Sequence, residues 1–217
     1  KFADKGTSPV AVGDYVRYSE DTKDRYAIEK ILPRGKIISK PSTENETQLQ
    51  VLVSNVDSLV IVSSVADPEF KPGLVDRFLV TAFKEDIKPI IVLNKIDLKP
   101  PENLRNYFRV WEKLSCEIVY TSAKSGDGID ILKSKMENGT AAIAGHSGVG
   151  KSTLINSMCP GLELRTKEIS AYSNRGVHTT TGIRLYKIFA NGWIADTPGI
   201  KVYGLAGVTK KNLKLFF

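Results

Sequence analysis

Short apolar runs alternate with amphipathic segments through the middle of the chain. The apolar runs predict four buried strands, at residues 59–65, 89–93, 118–120 and 141–144. Apolar positions at helical spacing predict four helices, at residues 74–84, 102–114, 129–136 and 151–158. Because strands that alternate with helices are typical of parallel sheets, we expect an α/β fold with a mainly parallel, doubly wound sheet.

The N-terminal part has a different pattern, in which short β-like pieces are separated by turn-forming prolines and glycines. The pieces lie at residues 12–18, 26–32 and 36–39. They predict a small β-barrel of the oligonucleotide-binding (OB) type over residues 1–45, with a small β domain of another use as the alternative. Such a barrel has five strands. Because only about three are visible here, we expect the barrel to be truncated.

Residues 42–50 are polar and predict a linker, so we expect a second domain over residues 46–217. Within it, residues 182–189 and 193–195 predict two strands joined by a hairpin turn at Asn191-Gly192. Residues 209–217 predict a last helix.

Composition indicates an ordinary globular protein, with 41% hydrophobic and 25% charged residues. No apolar run approaches the ~20 residues that a membrane helix needs. The two cysteines, Cys116 and Cys159, form no disulfide or metal pattern, which favours a reducing, cytoplasmic setting.

The net charge of +7 is concentrated in one part of the chain. Residues 1–50 carry +1, residues 51–139 carry −1, and residues 140–217 carry +7. A basic face of this kind suits a nucleotide, RNA or both, although a solvated basic surface with no nucleic-acid partner is equally consistent with charge alone.

The stretch GHSGVGKST fits G-x-x-x-x-G-K-[ST], the phosphate-binding loop of nucleoside triphosphatases. A predicted strand leads into it and a predicted helix follows, as the motif requires. We predict that Lys151 reaches the β- and γ-phosphates and that the Ser152 hydroxyl binds Mg²⁺. The predicted nucleotide contacts of this loop are Gly145, His146, Ser147, Gly148, Val149, Gly150, Lys151, Ser152 and Thr153.

Two loops at predicted strand ends indicate guanine as the base. Asn94, Lys95, Ile96 and Asp97 form N-K-x-D, in which the carboxylate can accept hydrogen bonds from N1–H and the 2-amino group of guanine. Adenine offers no such pair of donors. The second loop follows the strand at 118–120 and resembles the S-A-K loop that supports guanine recognition, with Ser122, Ala123 and Lys124.

A D-x-x-G sequence, Asp196 to Gly199, follows the last predicted strand. We predict that Asp196 holds Mg²⁺ and that the Gly199 N–H contacts the γ-phosphate. The segment 175–181 contains three threonines, of which Thr180 is the predicted Mg²⁺ ligand, with Thr179 and Thr181 as close alternatives.

These elements occur in a permuted order, because N-K-x-D and S-A-K precede the phosphate loop instead of following D-x-x-G. With Asn55-Val56-Asp57, Leu74-Val75-Asp76-Arg77 and the segment 175–181, the chain resembles the bacterial ribosome small-subunit-dependent GTPase A family. The resemblance covers about residue 10 to the end. It implies a circularly permuted phosphate-loop GTPase preceded by an OB-type barrel. The C-terminal zinc domain of the family is absent here, so we expect no zinc ligands in this chain.

The resemblance also implies function. It implies hydrolysis of GTP to GDP and phosphate with Mg²⁺, stimulated by the small (30S) ribosomal subunit during its late maturation. The barrel and the basic face would contact 16S rRNA, in a cytoplasmic monomer without a membrane partner. The alternatives are a GTP-regulated RNA- or protein-binding switch outside ribosome assembly, and an ATPase such as a small-molecule kinase. Asn94 and Asp97 argue against an ATPase.

The position that carries a water-orienting glutamine in Ras-like GTPases is Ile200, which cannot form a hydrogen bond with water. The sequence therefore predicts slow intrinsic hydrolysis and another group that positions water. His178 is our candidate, with a role in loop order or RNA contact as the alternative. We predict His178, Thr180 and Lys151 as the catalytic residues.

Overall fold

The structure is a computed structural model that describes residues 10–22, 25–41, 49–102, 104–159, 161–162, 164, 182–197, 208–209 and 211–216. Its strands are β1 (Val16–Thr22), β2 (Arg25–Ile31), β3 (Ile37–Pro41), β4 (Leu49–Ser54), β5 (Ser58–Ser64), β6 (Lys88–Asn94), β7 (Glu117–Tyr120), β8 (Asn138–Gly145), β9 (Arg184–Lys187) and β10 (Asn191–Asp196). Its helices are α1 (Pro72–Lys84), α2 (Leu104–Lys113), α3 (Ile129–Ser134), α4 (Lys151–Met158) and a 3₁₀-helix at Leu213–Phe216. No helix in these ranges is long and apolar enough to cross a membrane.

The centre of the molecule is a six-stranded sheet with the order β7-β6-β5-β8-β10-β9. The first five of these strands run parallel, and only β9, at the edge, is antiparallel to its neighbour β10. The prediction of a mainly parallel sheet is therefore confirmed.

Helices cover both faces of this sheet, and the alternation of side chains along its buried strands explains why. On β5, Leu59 and Ile61 face the layer of α1 and α2, whereas Val60 and Val62 face the layer of α3 and α4. Because both faces are covered, a central strand such as β5 is buried along its whole length. The predicted doubly wound arrangement is confirmed.

The N-terminal module, which we define as the described residues 10–41 and 49–54, consists of two antiparallel pairs, β1–β2 and β3–β4. A bridge between Val12 and Val53 connects its first residues to β4. The module therefore contains four strands in the described residues, not the three found in the sequence. The sequence pattern does not reveal β4, because its first residues, Leu49 and Gln50, belong to the polar stretch that predicts a linker.

Two further predictions need correction. The strands β9 and β10 do form a hairpin, but Asn191 and Gly192 are not its turn. Both residues belong to β10 and pair with Asn138 and Gly139 of β8. The hairpin is closed by hydrogen bonds from the Ile188 and Phe189 N–H groups to the Gly192 carbonyl oxygen. In the predicted C-terminal helix, only Leu213–Phe216 is helical among the described residues, and it is a 3₁₀-helix.

Candidate nucleotide-binding site

Four loops that carry predicted nucleotide contacts leave the same edge of the central sheet. They follow β6, β7, β8 and β10, which are parallel to one another and therefore all end at that edge. Ligands of open α/β sheets bind at the carboxyl ends of the strands. We call residues 94–97 the base-reading loop and residues 145–153 the phosphate loop.

Glycines shape the phosphate loop because side chains would collide with neighbouring strands. Gly148 and Gly150 have φ angles of +83° and +98°, in the left-handed region that favours glycine. A Cβ atom on Gly150 would lie 2.3 Å from Asn94 Nδ2, and one on Gly145 would lie 2.2 Å from the carbonyl oxygen of Val62. The loop can therefore pack this closely on β5 and β6 only with glycine at these positions.

Lys151 is the first residue of α4, and its side chain folds back over the phosphate loop. Its Nζ atom donates hydrogen bonds to the carbonyl oxygens of Gly145, at 2.8 Å, and His146, at 2.9 Å. Burial lowers the pKa of the Lys151 ammonium, and the nearby Asp196 carboxylate opposes this shift. The negative charge of a phosphate would favour the protonated form of Lys151 in the same way.

Asp196 ends β10, and its carboxylate is near enough to Lys151 for the two charges to interact. Its side chain is buried, and burial raises the pKa of its carboxyl, while Lys151 and Arg184 lower it. The next residue, Thr197, is anchored because its hydroxyl donates a 2.5 Å hydrogen bond to the carbonyl oxygen of Ile143 on β8.

The oxygen ligands predicted for Mg²⁺ fit the chemistry of that ion. Mg²⁺ prefers carboxylate and hydroxyl oxygens, keeps several waters, and is completed by substrate phosphates. Asp196, at the end of β10, offers a carboxylate, and Ser152, in the first turn of α4, offers a hydroxyl. Among the residues that the structure describes, no group of three or more His, Cys, Asp or Glu side chains could hold a metal by itself.

Asn94 is a buried side chain that connects three loops. Its Nδ2 atom donates a 2.8 Å hydrogen bond to the carbonyl oxygen of Val149 in the phosphate loop. Its Oδ1 atom accepts hydrogen bonds from the Thr121 hydroxyl, at 3.1 Å, and from the Ala123 N–H, at 3.2 Å. One neutral amide therefore holds the base-reading loop, the loop after β7 and the phosphate loop together.

Asp97 is exposed at the open side of the base-reading loop and is oriented by Ser122. The Ser122 hydroxyl donates a 2.7 Å hydrogen bond to Asp97 Oδ1. This bond is the main cause that lowers the pKa of the Asp97 carboxyl, with smaller contributions from the charges of Lys124 and Lys95. An ionised carboxylate in a fixed orientation is what the predicted contact with guanine requires.

Three predicted site residues, His178, Thr180 and Gly199, lie outside the described residues, as do Thr179, Thr181 and Ile200. The other predicted nucleotide contacts lie in the loops after β6, β7, β8 and β10. Their individual roles stay predictions.

Sequence reasoning missed the contacts of Lys95 and Thr121. The Lys95 ammonium donates a hydrogen bond to the carbonyl oxygen of Asp67 and lies 3.9 Å from the Asp67 carboxylate. The turn Asp67-Pro68 lies three residues after the end of β5 at Ser64, and polar turn residues near a strand end were the available signal. No sequence motif marks Thr121, and its role is visible only in the structure, from the hydrogen bond of its hydroxyl to Asn94.

Comparisons with known proteins agree with this geometry. A sequence model described as RsgA GTPase matches residues 31–206. The chain is 38% identical to the small ribosomal subunit biogenesis GTPase RsgA of Chlorobaculum tepidum, covering 98% of this chain and 71% of that protein. It is also 38% identical to the protein of that name from Thermotoga maritima, covering 96% of this chain and 68% of that protein.

Two solved structures have the same fold. YjeQ from Thermotoga maritima matches with a TM-score of 0.74 and 35% identity, over 96% of this chain and 67% of that one. YloQ, described as a circularly permuted GTPase, matches with a TM-score of 0.66 and 24% identity, over 95% of this chain and 63% of that one. The permuted fold is thereby confirmed, and the chain belongs to the RsgA GTPase family.

Proposed function

We propose that this chain binds GTP between the base-reading loop and the phosphate loop and hydrolyses it to GDP and phosphate. The hydrogen bond from Asn94 Nδ2 to the Val149 carbonyl oxygen, 2.8 Å long, is the observation that carries the proposal. It fixes the loop whose motif reads guanine against the loop whose motif binds phosphates. A nucleoside triphosphate carries a base at one end and phosphates at the other, so a single molecule would contact both loops.

Each group at the phosphate end then has a role. Lys151 would exchange its bonds with the loop carbonyls for bonds with phosphate oxygens, and the N–H groups at the start of α4 would face the same anion. Ser152 and Asp196 would hold Mg²⁺, together with Thr180. When bound, Mg²⁺ neutralises negative charge on the phosphates. The Gly199 N–H would contact the γ-phosphate, and His178 would position the attacking water.

The base-reading end supplies the preference for guanine. Asp97 can accept from N1–H and the 2-amino group of guanine, whereas adenine would leave the carboxylate without a partner. Ser122 keeps the carboxylate oriented and ionised. ATP should therefore compete poorly with GTP.

The test is Asp97→Asn, which replaces one acceptor with a donor. Xanthine carries an oxygen where guanine carries its 2-amino group, so the amide fits xanthine better. We expect GTP affinity to fall and xanthosine triphosphate affinity to rise, each by roughly tenfold to 100-fold, measured by nucleotide titration. Asp127→Asn, an exposed change in the loop after β7, is the control. Unchanged preference for GTP would remove Asp97 from base recognition.

We further propose that the chain acts in late maturation of the small ribosomal subunit, which stimulates its GTPase activity. The names of its relatives and the charge of +7 on residues 140–217 support this role. In this proposal an N-terminal domain and the basic face contact rRNA while the permuted domain binds GTP.

Co-sedimentation with 30S subunits tests this role. Binding should be tighter with a non-hydrolysable GTP analogue than with GDP, because the proposed contact of the Gly199 N–H requires a γ-phosphate, which GDP lacks. Equal recovery in the presence of both nucleotides and no stimulation of hydrolysis would favour a switch that acts outside ribosome assembly.

A further inference from the structure

Asn55, Val56 and Asp57, which we call the joint, connect β4 of the N-terminal module to β5 of the central sheet. Asn55 binds the module through both ends of its side-chain amide. Its Nδ2 atom donates a 2.8 Å hydrogen bond to the Gly13 carbonyl oxygen, and its Oδ1 atom accepts a 2.9 Å bond from the Gly35 N–H. Asn55 therefore holds two separate turns of the module at once.

Asp57, two residues later, binds the central sheet. Its Oδ2 atom accepts a 2.7 Å hydrogen bond from the Thr140 N–H, and its own N–H donates a 2.9 Å bond to the Thr140 carbonyl oxygen. Its carbonyl oxygen accepts a 3.2 Å bond from the Lys88 N–H. A single residue thus connects the beginnings of β5, β6 and β8.

The strands whose first residues are bonded to Asp57 end at the candidate site. Strand β6 runs from Lys88 to Asn94, and β8 passes from Thr140 to Gly145, the first residue of the phosphate loop. The distance along β8 between these two residues is about 16 Å, at about 3.3 Å per residue. The joint and the nucleotide loops therefore lie at opposite ends of the same short, buried strands.

The connection through the joint is tightly packed. Val56 is buried, and its N–H donates to the Lys36 carbonyl oxygen at 3.1 Å. A Cβ atom on Gly139 would lie 2.2 Å from Asp57 Oδ2. Lys36 also forms a 3.1 Å ion pair with Asp86, between the module and the turn before β6. These contacts fix the orientation of the module relative to the sheet.

We propose that Asn55 and Asp57 are positioning residues for partner-stimulated GTP hydrolysis. The proposal rests on the proposed function, in which the small subunit contacts an N-terminal domain and the basic face and stimulates hydrolysis in the permuted domain. A rigid joint presents the two binding surfaces at a fixed separation. Because misplacement by about 1 Å can cost about 100-fold in rate, a loose joint should weaken stimulation even though the nucleotide loops are unchanged.

The variants are chosen to keep the backbone of the joint unstrained. Asn55 has a φ angle of +55°, so Asn55→Gly removes both side-chain bonds at a position where glycine is favourable. Asp57→Ala removes the side-chain oxygen that accepts the hydrogen bond from the Thr140 N–H. Asp57→Asn keeps an oxygen that can accept this bond. Ser115→Gly is the matched control, since Ser115 is exposed and also left-handed, with a φ angle of +57°, and lies away from the joint.

The first measurement separates nucleotide binding, intrinsic hydrolysis and stimulated hydrolysis. For Asn55→Gly and Asp57→Ala we expect GTP affinity and intrinsic turnover within about twofold of the parent, and a stimulated kcat at saturating 30S subunits reduced by roughly tenfold to 100-fold. Asp57→Asn should recover most of the stimulation. Unchanged stimulated kcat, or an equal loss of intrinsic turnover, would overturn the proposal.

The second measurement does not depend on the partner. Spin labels at Glu20 on β1 and Asp130 on α3, in a background without Cys116 and Cys159, report the distance between module and sheet. The distance distribution should broaden in Asn55→Gly but not in Ser115→Gly, and an unchanged distribution would refute the joint's role. If it broadens while the parent protein shows no stimulation by subunits, the ribosomal function fails and the joint's role in orientation stands.

Discussion

The base-reading end and the phosphate end of the candidate site share one edge of the sheet, but different interactions hold them. At the base-reading end, the neutral amide of Asn94 is buried and satisfied by three hydrogen bonds. At the phosphate end, Lys151 is half-buried and Asp196 is buried, and burial shifts the pKa values of both charged groups towards their neutral forms.

The difference teaches that the two ends serve binding in different ways. A buried amide with all its bonds made is inexpensive to maintain and gives a fixed shape, whereas a buried charge is stable only with a partner of opposite sign. The base-reading end should therefore contribute stability to the protein itself. The phosphate end should contribute mostly to affinity for a charged ligand.

The largest effect that separates the two ends is expected for Lys151→Met. Methionine has a similar length without the charge, so GTP affinity should fall by about 3 kcal/mol, or roughly 100-fold, while stability without nucleotide changes little. Nucleotide titration and thermal unfolding measure the two quantities, with Lys113→Met on the exposed side of α2 as the control. If Lys151→Met instead lowered the unfolding temperature and left GTP affinity unchanged, the phosphate end would contribute to stability and not to affinity, contrary to this expectation.

Asn94→Ala should have the opposite effect to Lys151→Met, with a loss of stability in the absence of nucleotide. It leaves the Val149 carbonyl and the Ala123 N–H without their partner, and we expect the free energy of unfolding to fall by about 2–4 kcal/mol. Denaturant unfolding without nucleotide measures this loss. Asn106→Ala, an exposed change on α2, is the control. A loss confined to GTP affinity, with unfolding unchanged, would show that the amide acts on the ligand and not on the loops.

The smallest effect concerns pH and Asp196. Burial raises the pKa of its carboxyl, so the folded protein holds this proton at a pH where the unfolded chain has released it. As the pH falls through that window, the contribution of Asp196 to stability should increase while affinity for Mg²⁺ decreases. Mg²⁺ titrations and unfolding at several pH values measure the two trends, and both should be absent in Asp196→Asn. If stability and Mg²⁺ affinity changed in the same direction as the pH falls, the role given to Asp196 would be contradicted.

The order of strands and helices in the central sheet could be predicted from apolar periodicity, because buried parallel strands and amphipathic helices differ in pattern. Helix α4, Lys151–Met158, was predicted to the residue. Strand β4 could not be recognised because it begins within the polar stretch 42–50, which has the composition of a linker. The Asn191-Gly192 pair has the composition of a turn, but the parallel contact with β8 keeps it in a strand.

The loops of the site could be predicted because their motifs are local in sequence. The bonds that hold them could not, since they join distant positions: Asn94 to Val149, Thr197 to Ile143, and Asn55 to Gly13. The possibility that Asn94 ties its loop to neighbours follows from the chemistry of an amide, but the partners depend on how the strands are arranged. The roles of His178 and Thr180 stay predictions.

The order of the strands divides the sheet into two halves that are each continuous in sequence. Strands β5, β6 and β7 form one half, β8, β9 and β10 form the other, and the halves meet where β5 pairs with β8. The base-reading loop belongs to the first half and the phosphate loop to the second. A bound nucleotide would thus contact both halves, as a ligand at a subunit interface contacts two subunits. The free energy needed to separate the halves should therefore rise with nucleotide concentration. A chain cut near Glu137 should reassemble from its two fragments most readily when GDP is supplied.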